Sequence, residues 1–280
     1  MVRNCLHIYN LIITKKTKPF RKDNKMSNSK DSLGNRMKTY YEGIPSIKLY
    51  RRMPVIIRLD SVAAHTLLRN FTKPFDNVFS NSMQATMKYL CENIQGCVFG
   101  YTQSDEITLI LVDYENLDTS AWFDYKLEKI TSVSASMATL AFNKAFNNEI
   151  SEYIKNSEDS KMKEVYLKAL EKGAIFDSRA FNIPKEDVCN CVLWRQRDAE
   201  KNSVQMLAQT LYPHREIQGI NSKQLQDKIF SEKGINWNDV PTRFKRGSTC
   251  RRNENGKWEI DNEMPILSSD REYIEKLINI

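Results

Sequence analysis

Two short stretches of this 280-residue chain place carboxylates at the ends of apolar runs. Arg58-Leu59-Asp60 closes the run over 54–59, and Thr102-Gln103-Ser104-Asp105-Glu106 separates the runs over 96–101 and 107–112. If these runs are strands that share one sheet edge, Asp60 and Asp105 converge. Hard carboxylate oxygens at one point suit Mg²⁺, which keeps waters or substrate phosphates in the rest of its shell. Two such ions about 4 Å apart clamp the attacking and leaving oxygens of a phosphoryl transfer. Lys73, in Lys73-Pro74-Phe75-Asp76, and Ser104 are placed to contact a triphosphate. The backbone amides of Ser61, Val62, Ala63, Ala64 and His65 would bend round the phosphates, aided by the positive end of a helix starting nearby. Glu106 joins Asp60 and Asp105 as a candidate catalytic carboxylate, although strand alternation turns it away from Asp105. Each stretch alone also reads as ordinary turn chemistry, because Asp and Ser start turns, and Lys73 alone reads as a solvated lysine.

The elements between must bring these residues together. Residues 54–60 read as a buried strand rich in β-branched side chains. Phe79, Met83, Met87, Leu90 and Ile94 recur at helical spacing over 75–94, and Gly96 ends that helix. Residues 97–102 and 106–113 form a hairpin whose turn is the Gln-Ser-Asp link. A long helix over 122–150 repeats Phe123, Leu127, Ile130, Val133, Met137 and Leu140. A charged helical segment covers 151–172, a fourth strand 174–183, a second long helix 186–211, and shorter helices 222–232 and 270–278. A polar loop over 27–35 precedes a helical opening at 36–41. The order β-α-β-β-α-β is the split βαβ, ferredoxin-like arrangement. Its first and third strands form a central antiparallel pair, and the second lies beyond the third, parallel to the first. Asp60 and Asp105 then fall on one edge. The fold class is α+β, an antiparallel sheet with long helices and a helical C-terminal part. Residues 1–25 form a basic extension, 26–183 the catalytic domain, and 184–280 a helical region packed on it.

Net charge is +7, yet residues 1–25 hold seven bases against Asp23, so the remainder carries only +1. Overall basicity is therefore a weak argument for nucleic acid. A local cluster is a better one: Arg243, Lys245, Arg246, Arg251 and Arg252 fall within ten residues that contain no acid. Such a cluster attracts a phosphate backbone, or is a solvated basic loop. The six cysteines form no C-x-x-C pair and the three histidines are scattered, which argues against zinc and for reduced thiols. No apolar run approaches the ~18 residues of a membrane span. The first 25 residues fit a secretory signal poorly; they are an organelle-targeting segment or an extension upstream of Met26. The protein is expected in the cytoplasm, or in mitochondria if that segment targets it.

The motifs continue in order along the chain. Arg58-Leu59-Asp60, Ala63, His65-Thr66, Arg69 and Lys73-Pro74-Phe75-Asp76 are followed by Tyr101-Thr102-Gln103-Ser104-Asp105-Glu106. Ser134-Ala135-Ser136, Phe142-Asn143, Phe176-Asp177-x-Arg179, Phe181, Ile183-Pro184 and Trp194-Arg195-Gln196-x-Asp198-Ala199 come after them. From about residue 33 to 247 this series resembles the tRNA-His guanylyltransferase family, whose first motif is Asp-Gly-x-x-Phe-His…Lys-Pro-x-Asp. The resemblance implies a palm like that of 5′-to-3′ polymerases and nucleotide cyclases. It implies addition of nucleotides to a tRNA 5′ end in the 3′-to-5′ direction. The 5′ phosphate is first activated, usually with ATP, and the 3′-hydroxyl of an incoming GTP or other nucleoside triphosphate then attacks it. By position, Asp60 and Asp105 would bind both Mg²⁺ ions, and the carbonyl of Ser61 would complete one site. Residues 61–65, Lys73 and Ser104 would hold the triphosphate. The family forms tetramers, so a homotetramer is expected.

Three departures bear on function. Ser61 stands where the family has Gly, which permits backbone angles and a close phosphate approach that Ser resists. Val62 stands where a base is common, and Ala64 where Phe is usual. Asp198-Ala199 is followed by Glu200-Lys201-Asn202-Ser203-Val204-Gln205-Met206, whereas members that add the extra G carry His-Ile-Asn-Asn-Leu-Tyr-Asn. The last departure resembles the family's "like-protein" branch, which favours template-directed repair of tRNA 5′ ends. The alternatives are addition of a single G to tRNA-His and a tRNA-binding palm with weakened catalysis. A nucleotide cyclase shares the metal logic without separate support.

Overall fold

The computed structural model describes residues 32–279, and the expectations for residues 1–25 lie outside that range. The described chain divides into two units at residue 45. The first contains helix α1 (Ser32–Met37), which runs into a π-helical turn, Lys38–Glu42. No helix among the described residues is long and apolar enough to cross a membrane.

The second unit is built on one antiparallel sheet. Its strands are β1 (Val55–Ser61), β2 (Cys97–Gln103), β3 (Glu106–Leu111), β4 (Phe176–Asn182), β5 (Ser248–Arg252) and β6 (Trp258–Asp261), in the order β4-β1-β3-β2-β5-β6. The expected central pair is present, with β1 antiparallel to β3, and β2 lies beyond β3. The helices that follow α1 are α2 (Ala64–Leu67), α3 (Asn77–Asn93), α4 (Leu127–Asn156), α5 (Ser160–Lys172), α6 (Lys185–Leu211), α7 (His214–Ile217), α8 (Ser222–Lys233), α9 (Thr242–Lys245) and α10 (Glu272–Ile278). Residues 122–125, expected at the head of the long helix, form a separate 3-10 turn in which Phe123 and Asp124 have positive φ.

Both faces of the sheet are covered. On one, Val55, Ile57, Leu59, Ile107 and Leu109 meet Phe79 and Met83 of α3 and Phe142 and Phe146 of α4. On the other, Ile56, Phe99, Tyr101 and Ile110 meet Val188 and Val192 of α6 and Ile274 of α10. Double coverage is why β1 reads as an unbroken apolar run rather than an alternating one. Each fully buried large side chain contributes roughly 1.5–3 kcal/mol by leaving water. A third cluster joins the far half of α6 (Val204, Leu207) to α8 (Leu225, Ile229) and Trp237.

Local signals set the ends of the elements. Asp76 caps α3 by accepting from the Phe79 amide at 2.9 Å, and it also accepts from the Thr72 amide at 3.1 Å and the Tyr166 hydroxyl at 2.7 Å. The acid that follows Lys73 is therefore a cap and an anchor for α5. Gly247 turns with φ +92, and a Cβ there would meet the Thr102 carbonyl at 2.5 Å. Only glycine lets that segment lie so close to β2. The C-terminal region is helical as expected but also contributes the hairpin β5–β6, which joins the sheet through β2. The boundary expected at 183 and 184 thus divides two stretches of chain that share a single sheet.

Candidate active site

Register brings the site together. Asp60, near the end of β1, lies directly across from Glu106 on β3 and Asp177 on β4. The Ser61 amide donates to the Asp105 carbonyl at 3.0 Å, and the Val62 amide to the Ile175 carbonyl at 2.9 Å. These two bonds fasten the loop after β1 to the tip of the β2–β3 hairpin and to the approach to β4. Asp60 and Asp105 thus meet as the strand order predicts. Burial, then the charges of Asp105, Asp177 and Glu106, push the Asp60 carboxyl up to about 6, against a smaller opposing pull from Arg179. Crowded carboxylates raised in this way are what a bound cation would relieve.

Among the described residues, no three His, Cys, Asp or Glu side chains form a closed metal cage. Two aspartates and a backbone carbonyl are nevertheless an adequate donor set for Mg²⁺, because waters and phosphate oxygens take its other positions. The residues fit the ion on that ground, and the raised Asp60 carboxyl agrees.

The loop that follows offers donors. Ala63 is left-handed (φ 56, ψ 36), and α2 begins directly after it. Among the described residues, the amides of Ala63, Ala64 and His65 donate to no protein acceptor. Successive amides beside a left-handed residue form the concave nest that binds phosphate oxygens. The helix expected to reinforce them is only four residues long. Ser104 also has positive φ (49), which turns the hairpin tip. Ser61 lies in regular strand without positive φ, so glycine's freedom is not required there. Alternation turns its side chain to the face of Ile57 and Leu59, opposite that of Asp60. The cost of the substitution is a buried hydroxyl with no partner.

A cleft with about 760 Å³ of empty space, part of it open to solvent, runs beside the hairpin tip. Lys73, Ser104, Asn202, Met206, Arg243 and Phe244 are among its walls. The Lys73 ammonium donates to the Leu68 carbonyl at 3.2 Å. Phe75 and Phe244 stack at 4.8 Å with their planes 7° apart, and Arg243 lies over Phe244 while bonding Asn77 and Asn81.

Glu106 departs from expectation. Alternation does not carry it away from the site, because Asp105 belongs to the turn and Glu106 is the first strand residue, facing the same side as Asp60. Arg195 of α6 donates from its Nε to Glu106 at 2.7 Å, with both side chains about nine-tenths buried. Arg195 also reaches Asp198 at 3.0 Å. Glu106 is therefore an ion-paired carboxylate rather than a free one.

The basic cluster is dispersed. Arg243 faces the cleft; Lys245 is buried, donating to the Asn238 carbonyl at 2.5 Å; Arg246 pairs with Glu200 at 2.9 Å. Arg251 covers the Tyr273 ring and Arg252 the Trp258 ring. Alternation along β5 sends the last two to opposite faces, so the five residues do not form one RNA-facing surface. The sequence reading missed Asp177 and Arg195 as site residues. The signal for Asp177 was topological: a strand that follows the second crossover pairs with β1.

The chain is similar to known proteins. The family model for tRNAHis guanylyltransferase (Thg1) matches residues 34–184. A bacterial tRNA(His) guanylyltransferase (Thg1)-like protein solved in complex with ATP is 43% identical over 89% of this chain and 100% of that one, with a TM-score of 0.78. A bacterial Thg1-like protein in complex with GTP is 40% identical over the same shares, with a TM-score of 0.73. The probable tRNA(His) guanylyltransferase of Dictyostelium discoideum is 25% identical, covering 74% of this chain and 80% of its own. Joined to the strand order and the paired aspartates, the match over more than half of the sequence means that this chain belongs to the tRNAHis guanylyltransferase family of nucleotidyltransferases.

Proposed function

We propose that this protein is a Mg²⁺-dependent nucleotidyltransferase that extends tRNA 5′ ends in the 3′-to-5′ direction, directed by the opposite strand. The observation that carries the reading is Asp60, whose carboxyl is crowded by Asp105 and Asp177 beside a cleft bearing Lys73 and Ser104. Asp60 and Asp105 would hold the magnesium ions, with the carbonyl of Ser61. Bound magnesium supplies charge neutralisation and polarisation of phosphoryl oxygens. The amides of residues 63–65, Lys73 and Ser104 orient the triphosphate. Arg195 withdraws the charge of Glu106, so the nucleotide meets less negative potential.

Templated repair is favoured over single-G addition by two considerations. The segment Glu200 to Met206 lacks the pattern of the G-adding members. The two bacterial like-proteins are 40% and 43% identical to this chain, whereas the relatives named tRNA(His) guanylyltransferase, probable ones included, are 21–27% identical. The test is a tRNA lacking its first nucleotide, incubated with ATP, nucleoside triphosphates and Mg²⁺. Extension that follows the opposite base and is lost in Asp105→Ala supports the reading. No extension, or extension indifferent to that substitution, overturns it. Activity that depends on the tRNA-His anticodon assigns single-G addition instead.

A further inference from the structure

The reaction proposed above joins two substrates, and the residues described so far hold only one of them. The triphosphate donors Lys73 and Ser104 lie on the β2 side of the carboxylates. On the β4 side a different set of side chains is exposed.

The chain has four tryptophans. Trp122, Trp237 and Trp258 are less than a tenth exposed, whereas Trp194 is 53% exposed. A tryptophan left half in water at the edge of an active site is not explained by core packing. Two guanidinium groups lie against its ring, Arg58 at 5.4 Å and Arg195 at 4.6 Å from the centroid. Arg195 is committed to Glu106 and Asp198. Arg58 differs: among the described residues no hydrogen bond or ion pair holds its guanidinium, so its side-chain donors stay available beside the indole. Arg58 precedes Asp60 by two residues on the same face of β1, roughly 7 Å along the strand. Arg179 stands across from Arg58 on β4 and is exposed.

An exposed indole flanked by arginines is a surface that takes a base by its π-face and the adjoining phosphate by charge, without reading sequence. Trp194 is not among the residues that line the cleft with Lys73 and Ser104, which leaves it for the second substrate. Resting on the functional reading above, we propose that Trp194 is the platform on which the terminal base at the RNA 5′ end stacks, with Arg58 on the neighbouring phosphate.

Tryptophan fluorescence tests this directly, because the other three indoles are buried. Wild-type, Trp194→Phe and Trp194→Ala proteins are titrated with a 5′-truncated tRNA and, separately, with ATP alone; RNA affinity is also measured by anisotropy of a labelled tRNA. The tRNA should quench wild-type emission, and the quench should vanish in Trp194→Phe. Trp194→Ala should weaken RNA binding roughly tenfold, the effect of losing one stacked base, with ATP affinity changed less than twofold. Trp194→Phe should recover most of that RNA affinity. The proposal is overturned if ATP alone reproduces the quench, if the quench persists in Trp194→Phe, or if Trp194→Ala binds tRNA as wild type does. Because binding is read without turnover, absence of 5′ extension would sink the functional reading and leave this result standing.

Discussion

Asp60 and Glu106 face each other across β1 and β3 and are held in opposite ways. Glu106 is nearly buried and is answered at 2.7 Å by Arg195. Asp60 is crowded by three further carboxylates and opposed only weakly by Arg179. A carboxylate with its own guanidinium is part of the frame, since its charge is already spent within the protein. One left among like charges is a standing electrostatic cost that the fold retains at its substrate-facing edge. Proximity to the site therefore does not distinguish these two acids; the presence of a guanidinium partner does.

The comparison is tested most severely by activity. Asp60→Asn or Asp105→Asn should reduce 5′ extension on the order of a thousandfold or more, as expected when a group that stabilises transition-state charge is removed, with tRNA binding by anisotropy retained. A loss of less than tenfold would erase the distinction from Glu106. Next in size is stability. Arg195→Met strands Glu106 without a charged partner and should cost about 3–5 kcal/mol, read from urea denaturation. The double variant Arg195→Met/Glu106→Leu should recover most of that loss.

Magnesium gives a smaller signal. An ion that binds only the folded state at 100 times its Kd adds about 2.7 kcal/mol. That should raise the melting temperature of wild type by roughly 5 °C and leave Asp60→Asn unmoved. In the metal-free protein the raised Asp60 carboxyl makes the native state hold a proton that the unfolded chain releases nearer pH 4. Its contribution is complete below about pH 4 and is lost as pH rises through about 6. Wild type should lose roughly 1 kcal/mol across that window after allowance for solvent screening, and Asp60→Asn should show a flatter profile. Ser61→Gly is expected to change least, within about 1 kcal/mol, because relief of the orphan hydroxyl offsets the added chain entropy.

Much of this was legible in the sequence. The apolar runs gave β1 to β3, the helical spacing of Phe79 to Ile94 gave α3, and the split βαβ order correctly put Asp60 beside Asp105. The hairpin β5–β6 was not, because Ser248 to Arg252 is polar and β6 has only four residues. Asn255-Gly256 between them was the one turn signal on offer. The ion pair of Glu106 was not legible, because Arg195 lies 89 residues away and no spacing rule pairs side chains over that distance. The dispersal of the basic cluster was not legible either, because neighbours in sequence diverge once a short helix and a strand impose different periods on them.

One element touches both sides of the site. Helix α6 carries Trp194 and Arg195 over the sheet and, further along, Asn202 and Met206 into the cleft. Twelve residues of continuous helix separate Trp194 from Met206, about 18 Å of stiff rod. The helix therefore acts as a gauge block between the two substrates. Lengthening it by one residue between the two sets would swing one of them by roughly 100° about the axis and out of phase with the other. The residue count between Trp194 and Met206 is therefore as much a part of the site as the side chains themselves.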